Sequence, residues 1–194
     1  MKRITIISGH PDRESYSEAL ADAYAKGARE GNANVTYLKL RELRFSLVLE
    51  HGYRKRTQLE RDLFSAKKRI ADSDHLVFVY PTWWGFMPAL MKGFIDRVFL
   101  PGFAFKYKPN SLFWDKYFTG KSARVITTMD APYWYYWLAN GRPGEKLMKN
   151  MILEFCGVKP VKFWTLDSMR YRKKEWLEKK LIEAEKLGFK ESQR

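Results

Sequence analysis

The chain has 194 residues, 45% of them hydrophobic, and a formal net charge of +14. That length suits one domain with a sizeable core, and no Gly/Ser linker, low-complexity tract or run of roughly 18 apolar residues is present, which excludes a linked array and a membrane-spanning helix. The single cysteine, Cys156, excludes an intramolecular disulfide framework, and with a start that passes from Lys2-Arg3 straight into a strand it makes a cytoplasmic location the expectation.

Residues 2–8 alternate into Ile4, Ile6 and Ile7 and read as a first strand. A polar stretch, Gly9-His10-Pro11-Asp12-Arg13-Glu14, leads to Ser15 with Glu18 three residues on, the capping-box spacing of a helix start. Tyr16, Leu20, Ala23, Tyr24 and Gly27 then recur at helical spacing. A strand, a polar loop and a helix N-terminus make an anion site, because unpaired N–H groups and the helix dipole face the loop. His10, Ser15 and Ser17 add side-chain donors there, although capping alone also accounts for Ser15 and Ser17. No Gly-x-Gly-x-x-Gly or Walker pattern is present, so neither a Rossmann dinucleotide loop nor a nucleotide triphosphatase is indicated.

A second strand is expected at 34–40, after the turn-like Gly31-Asn32-Ala33-Asn34. Residues 41–56 suit neither regular type, and a loop of that length in a compact domain is usually functional or at an interface. A helix follows at 58–71, with Leu59, Leu63, Phe64, Ala66 and Ile70 on its buried side. His51 stands alone, without a second histidine at metal spacing, so no metal site is expected.

The most informative run opens at His75. Leu76-Val77-Phe78-Val79-Tyr80 is continuously apolar between Asp72-Ser73-Asp74 and Pro81, the pattern of a parallel strand covered on both faces. Pro81-Thr82-Trp83-Trp84-Gly85 leaves that strand as a loop, and Pro88 suits the first turn of a helix that buries Ala89, Leu90, Phe94, Ile95, Val98 and Phe99. Ligands of open α/β sheets bind beyond the carboxyl ends of the strands. The loop is thus a wall for a flat aromatic ligand or, alternatively, two tryptophans plugging the end of a core.

Residues 107–120, with Phe113, Trp114, Tyr117 and Phe118, show no clear period and read as a loop over the site or at a dimer contact. A fourth strand at 123–128 ends in Thr127-Thr128, level with the ends of the first and third. Five consecutive aromatics, Tyr133 to Trp137, then lie in what reads as a loop, either a lid over a planar substrate or part of a subunit interface. A helix at 144–155 with Cys156 packed as a small hydrophobe at its end, a fifth strand at 160–166 and a closing helix at 173–187 complete the chain.

Tyr80-Pro81-Thr82-Trp83-Trp84, followed by the gapless Met87-Pro88-Ala89-Leu90-Met91-Lys92-Gly93-Phe94-Ile95-Asp96-Arg97-Val98-Phe99, closely resembles the flavodoxin-like NAD(P)H:quinone oxidoreductases. That family includes DT-diaphorase and the bacterial quinone reductases associated with potassium-efflux systems. Gly9-His10 with Tyr16-Ser17 and Ala19, Phe103-Ala104-Phe105, and Glu154-Phe155-Cys156-Gly157 extend the resemblance over nearly all of residues 2–166. It implies that His10, Tyr16 and Ser17, with Ser15 beside them, hold a flavin phosphate. It also implies that backbone groups of Pro81, Thr82, Trp83, Trp84 and Gly85 meet the isoalloxazine edge, Trp84 flanking the ring. Thr127, Thr128, Met129 and Asp130 would complete the cofactor side. The family usually carries Thr-Thr-Gly-Gly there, and Met129-Asp130 departs from the glycines that let backbone approach a flavin. Tyr133 and Tyr136 are both candidates for a tyrosine on the flavin side, and the histidine that follows it in the family has no counterpart between Tyr136 and Met151.

The expected architecture is a flavodoxin-like three-layer α/β sandwich with a five-stranded parallel sheet of order 2-1-3-4-5, in one domain spanning residues 1–194. The resemblance further implies a homodimer that passes hydride from NAD(P)H, through flavin, to a quinone-like acceptor in ping-pong order. FMN is expected over FAD, because the chain ends soon after the fifth helix. A flavodoxin-type electron carrier and a basic regulatory or nucleic-acid-binding module are the alternatives. The lack of an acidic surface and the aromatic lid argue against the carrier. Dispersal of the cations argues against nucleic acid: residues 41–70 hold nine Lys/Arg against four Asp/Glu, and residues 159–194 eleven against six. Such a field still attracts phosphorylated cofactors.

Overall fold

A computed structural model describes residues 1–193. Its strands are β1 (Arg3–Ser8), β2 (Asn34–Lys39), β3 (His75–Pro81), β4 (Phe105–Tyr107), β5 (Trp114–Lys116), β6 (Ser122–Thr128) and β7 (Val161–Leu166). Five of them form one parallel sheet in the order β2-β1-β3-β6-β7, the 2-1-3-4-5 order expected of a flavodoxin-like fold. Every residue of β3 is buried, as its unbroken apolar run requires. Alternate side chains divide between two cores. Ile4, Ile6, Val77 and Val79 pack beneath α1 (Tyr16–Glu30) and α6 (Lys174–Ser192). Ile7, Leu76, Phe78 and Tyr80 pack beneath α2 (Arg61–Asp72) and α3 (Ala89–Val98). A short helix, α4 (Tyr133–Leu138), follows β6, and α5 (Pro143–Lys146) continues as a π-helical stretch, Leu147–Leu153, onto the second core.

The two long helices of the first face touch backbone to backbone. A Cβ at Gly27 would lie 1.8 Å from the Glu185 carbonyl oxygen, and one at Gly188 would lie 2.1 Å from that of Tyr24. Only glycine permits that approach.

Three expectations need correction. Residues 107–120 are not simply a loop, because β4 and β5 pair antiparallel as a hairpin; three residues per strand are too few to show alternation. The aromatic run is not a loop either, since Tyr133–Leu138 winds into α4. Phe64 lies on the outer side of α2, 64% exposed, leaving Leu63, Ala66 and Ile70 to carry its buried face. No helix among the described residues is long and apolar enough to cross a membrane. Cys156 is buried, and burial pushes its thiol up to about 12, which keeps it inert.

At the amino end of the sheet sits a buried ionic cluster. Arg124 Nη2 donates to Glu191 Oε1 at 2.5 Å, the Tyr24 hydroxyl donates to Glu191 Oε2 at 2.8 Å, and His75 Nδ1 shares a proton with Ser122 Oγ at 2.7 Å. Burial alone would raise the Glu191 carboxyl, but bonds to His75, Arg124 and Tyr24 hold it below its ordinary range. Burial lowers the His75 imidazole and outweighs the attraction of Glu191, 3.5 Å away, with Lys2 and Arg124 adding to the lowering. Both groups therefore bind protons more readily when the chain unfolds. Stability contributed by His75 is lost as pH falls below its ordinary 6.5, and that from Glu191 below 4.5. The urea midpoint is expected to fall between about pH 7.5 and about pH 5.5, and His75→Gln to flatten that slope. Glu191→Gln should cost about 3–5 kcal/mol across the range by stranding Arg124. A slope that survives His75→Gln would assign the acid sensitivity to another group.

Candidate functional site

Parallel register brings the carboxyl ends of β1, β3 and β6 to one edge, pairing Ser8 with Val79 and Pro81 with Thr128. The loops beyond them are tied together. Gly9 N–H donates to the Val79 carbonyl at 2.9 Å and Thr82 N–H to that of Thr128 at 2.7 Å. Ser17 Oγ lies 3.1 Å from Thr128 Oγ1, and the His10 ring meets Trp83 edge-on at 5.6 Å. Residues from all three predicted loops are thus brought together.

On the α1 side, Ser15 is the helix cap, its Oγ accepting from Glu18 N–H at 3.2 Å. The reciprocal half of the capping box is not made. Instead the buried Glu18 carboxylate takes bonds from Ser8 Oγ at 2.7 Å and Lys39 Nζ at 2.8 Å, with Arg41 at 3.4 Å. Burial would raise that carboxyl, and Lys39, Ser8 and Arg41 together hold it low. The N–H groups of Tyr16 and Ser17 consequently have no acceptor among the described residues. His10 Nδ1 accepts from Asp12 N–H at 2.9 Å, which leaves the ring proton on Nε2. The Tyr16 hydroxyl is engaged elsewhere, donating to the Leu177 carbonyl at 2.8 Å, with burial and then Glu183 raising it to about 12. Only the backbone of Tyr16 is open to a ligand.

The β3 loop is a tight turn. Trp83 and Phe86 exchange N–H···O bonds of 2.8 and 3.0 Å, and the two residues between them, Trp84 (φ +52°) and Gly85 (φ +76°), are both left-handed. Two-residue hairpins demand that geometry. Glycine adopts it freely, whereas a tryptophan there is strained by the order of 1 kcal/mol. Trp84 stands fully exposed at the tip and Trp83 half-exposed behind it, so the tryptophans do not plug the core.

Behind the turn, Tyr136 is buried and its hydroxyl bridges two segments. Gly144 N–H donates to Tyr136 Oη at 2.9 Å, and that oxygen lies 3.4 Å from the Gly85 carbonyl. Tyr133 is anchored by its own N–H on Asp167 Oδ2 at 2.9 Å, and its hydroxyl donates to Glu145 Oε2 at 3.3 Å. The second Glu145 oxygen accepts from Thr165 Oγ1 at 2.7 Å, and Thr127 Oγ1 reaches Thr165 at 3.1 Å. Glu145 is the site residue that sequence reasoning missed; its one clue is an acid in the first turn after Pro143. Met129 is buried with its N–H on the Leu166 carbonyl. The Asp130 carboxylate turns outward to Arg170 at 3.3 Å, leaving its N–H without an acceptor among the described residues.

A five-stranded parallel sheet whose crossovers gather these loops at its carboxyl edge is the flavodoxin-like class of α/β protein. The chain belongs to the flavodoxin-like fold family Flavodoxin_2, whose model matches residues 2–187. It is 32% identical over 105 residues to an uncharacterised NAD(P)H oxidoreductase of Haemophilus influenzae, a match covering 52% of either chain. The chain spans about half the length of the curated relatives it matches. The solved Smu.1420 structure of Streptococcus mutans is similar at a TM-score of 0.81 and 27% identity, over 98% of this chain and 100% of that one. An NAD(P)H:quinone oxidoreductase of Methanothermobacter marburgensis is similar at a TM-score of 0.77 and 25% identity, over 96% of each.

The joint between the Trp84–Gly85 turn and α5 is tight enough to test. A Cβ on Gly144 would lie 2.6 Å from the Gly85 carbonyl oxygen and 2.8 Å from Tyr136 Oη. Gly144→Ala is expected to destabilise the protein by about 1–3 kcal/mol in urea denaturation, as overpacking does. An unchanged midpoint would mean that the turn and α5 separate freely.

Proposed function

We propose that the chain is a flavin-dependent NAD(P)H oxidoreductase that reduces a quinone-like acceptor, with FMN as its flavin. The observation that carries this reading is the set of N–H groups without an acceptor among the described residues, at Tyr16 and Ser17, at Trp84 and Gly85, and at Asp130, gathered from three loops at one strand edge. That donor set fits a phosphate on one side and a flat, acceptor-edged ring on the other.

In this reading Tyr16 and Ser17 N–H, the positive end of the α1 dipole and His10 Nε2–H hold the phosphate. The N–H groups of Trp84 and Gly85 meet the polar edge of the ring, and Asp130 N–H serves where the family has glycine. Trp83 and Trp84 wall the ring and keep water from its face. When bound, the flavin supplies the redox chemistry, taking hydride from the nicotinamide and passing it on. Tyr133, held by Glu145, stands on the substrate side and orients the planar reactant, while the buried Tyr136 supports the turn that carries Trp84 and Gly85. One slot serves nicotinamide and acceptor in turn, which makes the kinetics ping-pong.

The absorption spectrum of the purified protein, with the released flavin identified by mass, tests the cofactor; FAD, or a protein that takes up no FMN, would overturn it. His10→Ala with Ser17→Ala removes the charge-assisted His10 bond to phosphate and the hydroxyl that ties Ser17 to Thr128, and is expected to weaken FMN binding by about tenfold or more without unfolding the protein. Unchanged affinity would remove the assignment of the phosphate to this loop.

The working unit in this proposal is a twofold homodimer. Leu112 is 94% and Phe113 72% exposed on the β4–β5 hairpin, and Trp134, Trp137 and Leu138 are 64%, 51% and 66% exposed on α4. Apolar surface of that extent supports a partner. Trp137→Glu should shift the protein toward monomer and lower quinone reduction together, read by light scattering and steady-state kinetics. A monomeric unmodified protein would refute the dimer.

A further inference from the structure

The long segment after β2, which the proposed chemistry leaves without a part, runs down along α3. Leu47 packs so closely on Gly93 that a Cβ there would meet it at 2.9 Å. The segment is fixed by Arg97, 1% exposed, whose guanidinium bonds Glu60 at 2.7 and 3.1 Å and the Ser46 carbonyl at 2.7 Å. So held, it forms a cavity of about 650 Å³ with the outer side of α2 and the turn that follows α3. That volume lies within the range of about 300–1,000 Å³ typical of small-molecule sites.

The lining is specific in its chemistry. Lys55, Arg56 and Lys67 contribute to it and no Asp or Glu does, and none of the three cations has an ion-pair partner among the described residues. Aromatic faces stand beside them. Lys67 Nζ lies 4.8 Å above the Phe103 ring, and Tyr53 and Phe64 are 69% and 64% exposed. Thr57 Oγ1 is buried here without a hydrogen-bond partner among the described residues, an uncompensated cost while nothing is bound.

We propose that this cavity is a second ligand site, separate from the flavin crevice, that takes a nucleoside phosphate. Lys55, Arg56 and Lys67 receive the phosphates, Tyr53 and Phe64 flank the base, and the Thr57 hydroxyl gains the bond it lacks. An apolar occupant would desolvate three cations without compensation, and inorganic phosphate would leave the aromatic walls bare. The crevice loop precedes the first residue of α3 and the cavity lies at its last, about 15 Å away by helical rise. None of the crevice residues lines the cavity, so the flavin reading and this one stand or fall separately. The site also gives part of the +14 charge a use.

The test is calorimetric titration of ADP into the flavin-loaded protein at low salt, with adenosine and inorganic phosphate as comparators. One ADP per chain is expected, weakened by salt and bound more tightly than either comparator. Lys55→Glu with Lys67→Glu should weaken ADP by about tenfold or more while flavin content and NAD(P)H oxidation stay unchanged. Phe64→Ala, an exposed change that leaves the core intact, should weaken ADP but not inorganic phosphate. Absence of ADP binding overturns the proposal. So does ADP binding that resists both variants and is displaced by NADH, which would place the nucleotide in the crevice. If ADP binds only after the dimer is dissociated, a second copy of the chain is the occupant and the proposal is wrong.

Discussion

Seven consecutive residues of β3 are buried, and a strand covered on both faces requires helices above and below it. Parallel neighbours can be reached only through crossovers, and right-handed crossovers return each strand in the same direction. The carboxyl ends of β1, β3 and β6 are therefore brought to one edge by the sheet, whatever their loops contain. The loops then need only short ties, such as Thr82 to Thr128 and Ser17 to Thr128, to become one surface. The first turn of α1, at the end of the loop that leaves β1, brings to this edge N–H groups that no helix can pair within itself.

Buried charge is distributed with comparable economy. Glu18 ties β1 and the end of β2 at the carboxyl edge, Glu60 with Arg97 ties the long segment to α3, and Glu191 ties α6 to β3 and β6 at the amino edge. Each cluster joins segments far apart in the sequence. Pairs of this kind contribute little net stability, but leaving one partner unpaired costs about 3–5 kcal/mol, so they disfavour other arrangements of the same chain. These acids are matched by Lys39, Arg41, Arg97 and Arg124, so nearly all of the net charge of +14 is carried by lysine and arginine outside the clusters.

The main sheet and its order were legible in the sequence because each of its strands carries a run or alternation of six or seven residues between turn signals. The anion loop and the tryptophan turn were legible for a similar reason, since capping chemistry and proline act locally. The β4–β5 hairpin escaped because its pairing is decided across strands of three residues. The aromatics of α4 form a helix against helix propensity, with Tyr136 buried beneath Gly144 and the tertiary contact deciding the matter. Phe64 was placed inside by its hydrophobicity alone, although nothing fixes which side of α2 a single aromatic takes. Glu145 became visible only when folding set it beside Tyr133 and Thr165.

The glycine contact between α1 and α6 bears on the order of events in time. Gly188 is synthesised long after Gly27, and until it emerges the helix that presents Tyr16 and Ser17 lacks the partner against which it lies backbone to backbone. Domains generally fold as units, so β1, α1 and β2 await the later strands and α6 before their packing is complete. The helix start is clamped only once α6 has emerged. The fixed geometry of this edge thus depends on α6, and a chain stalled before it would hold the loop residues without the rigidity that the α1–α6 contact gives them.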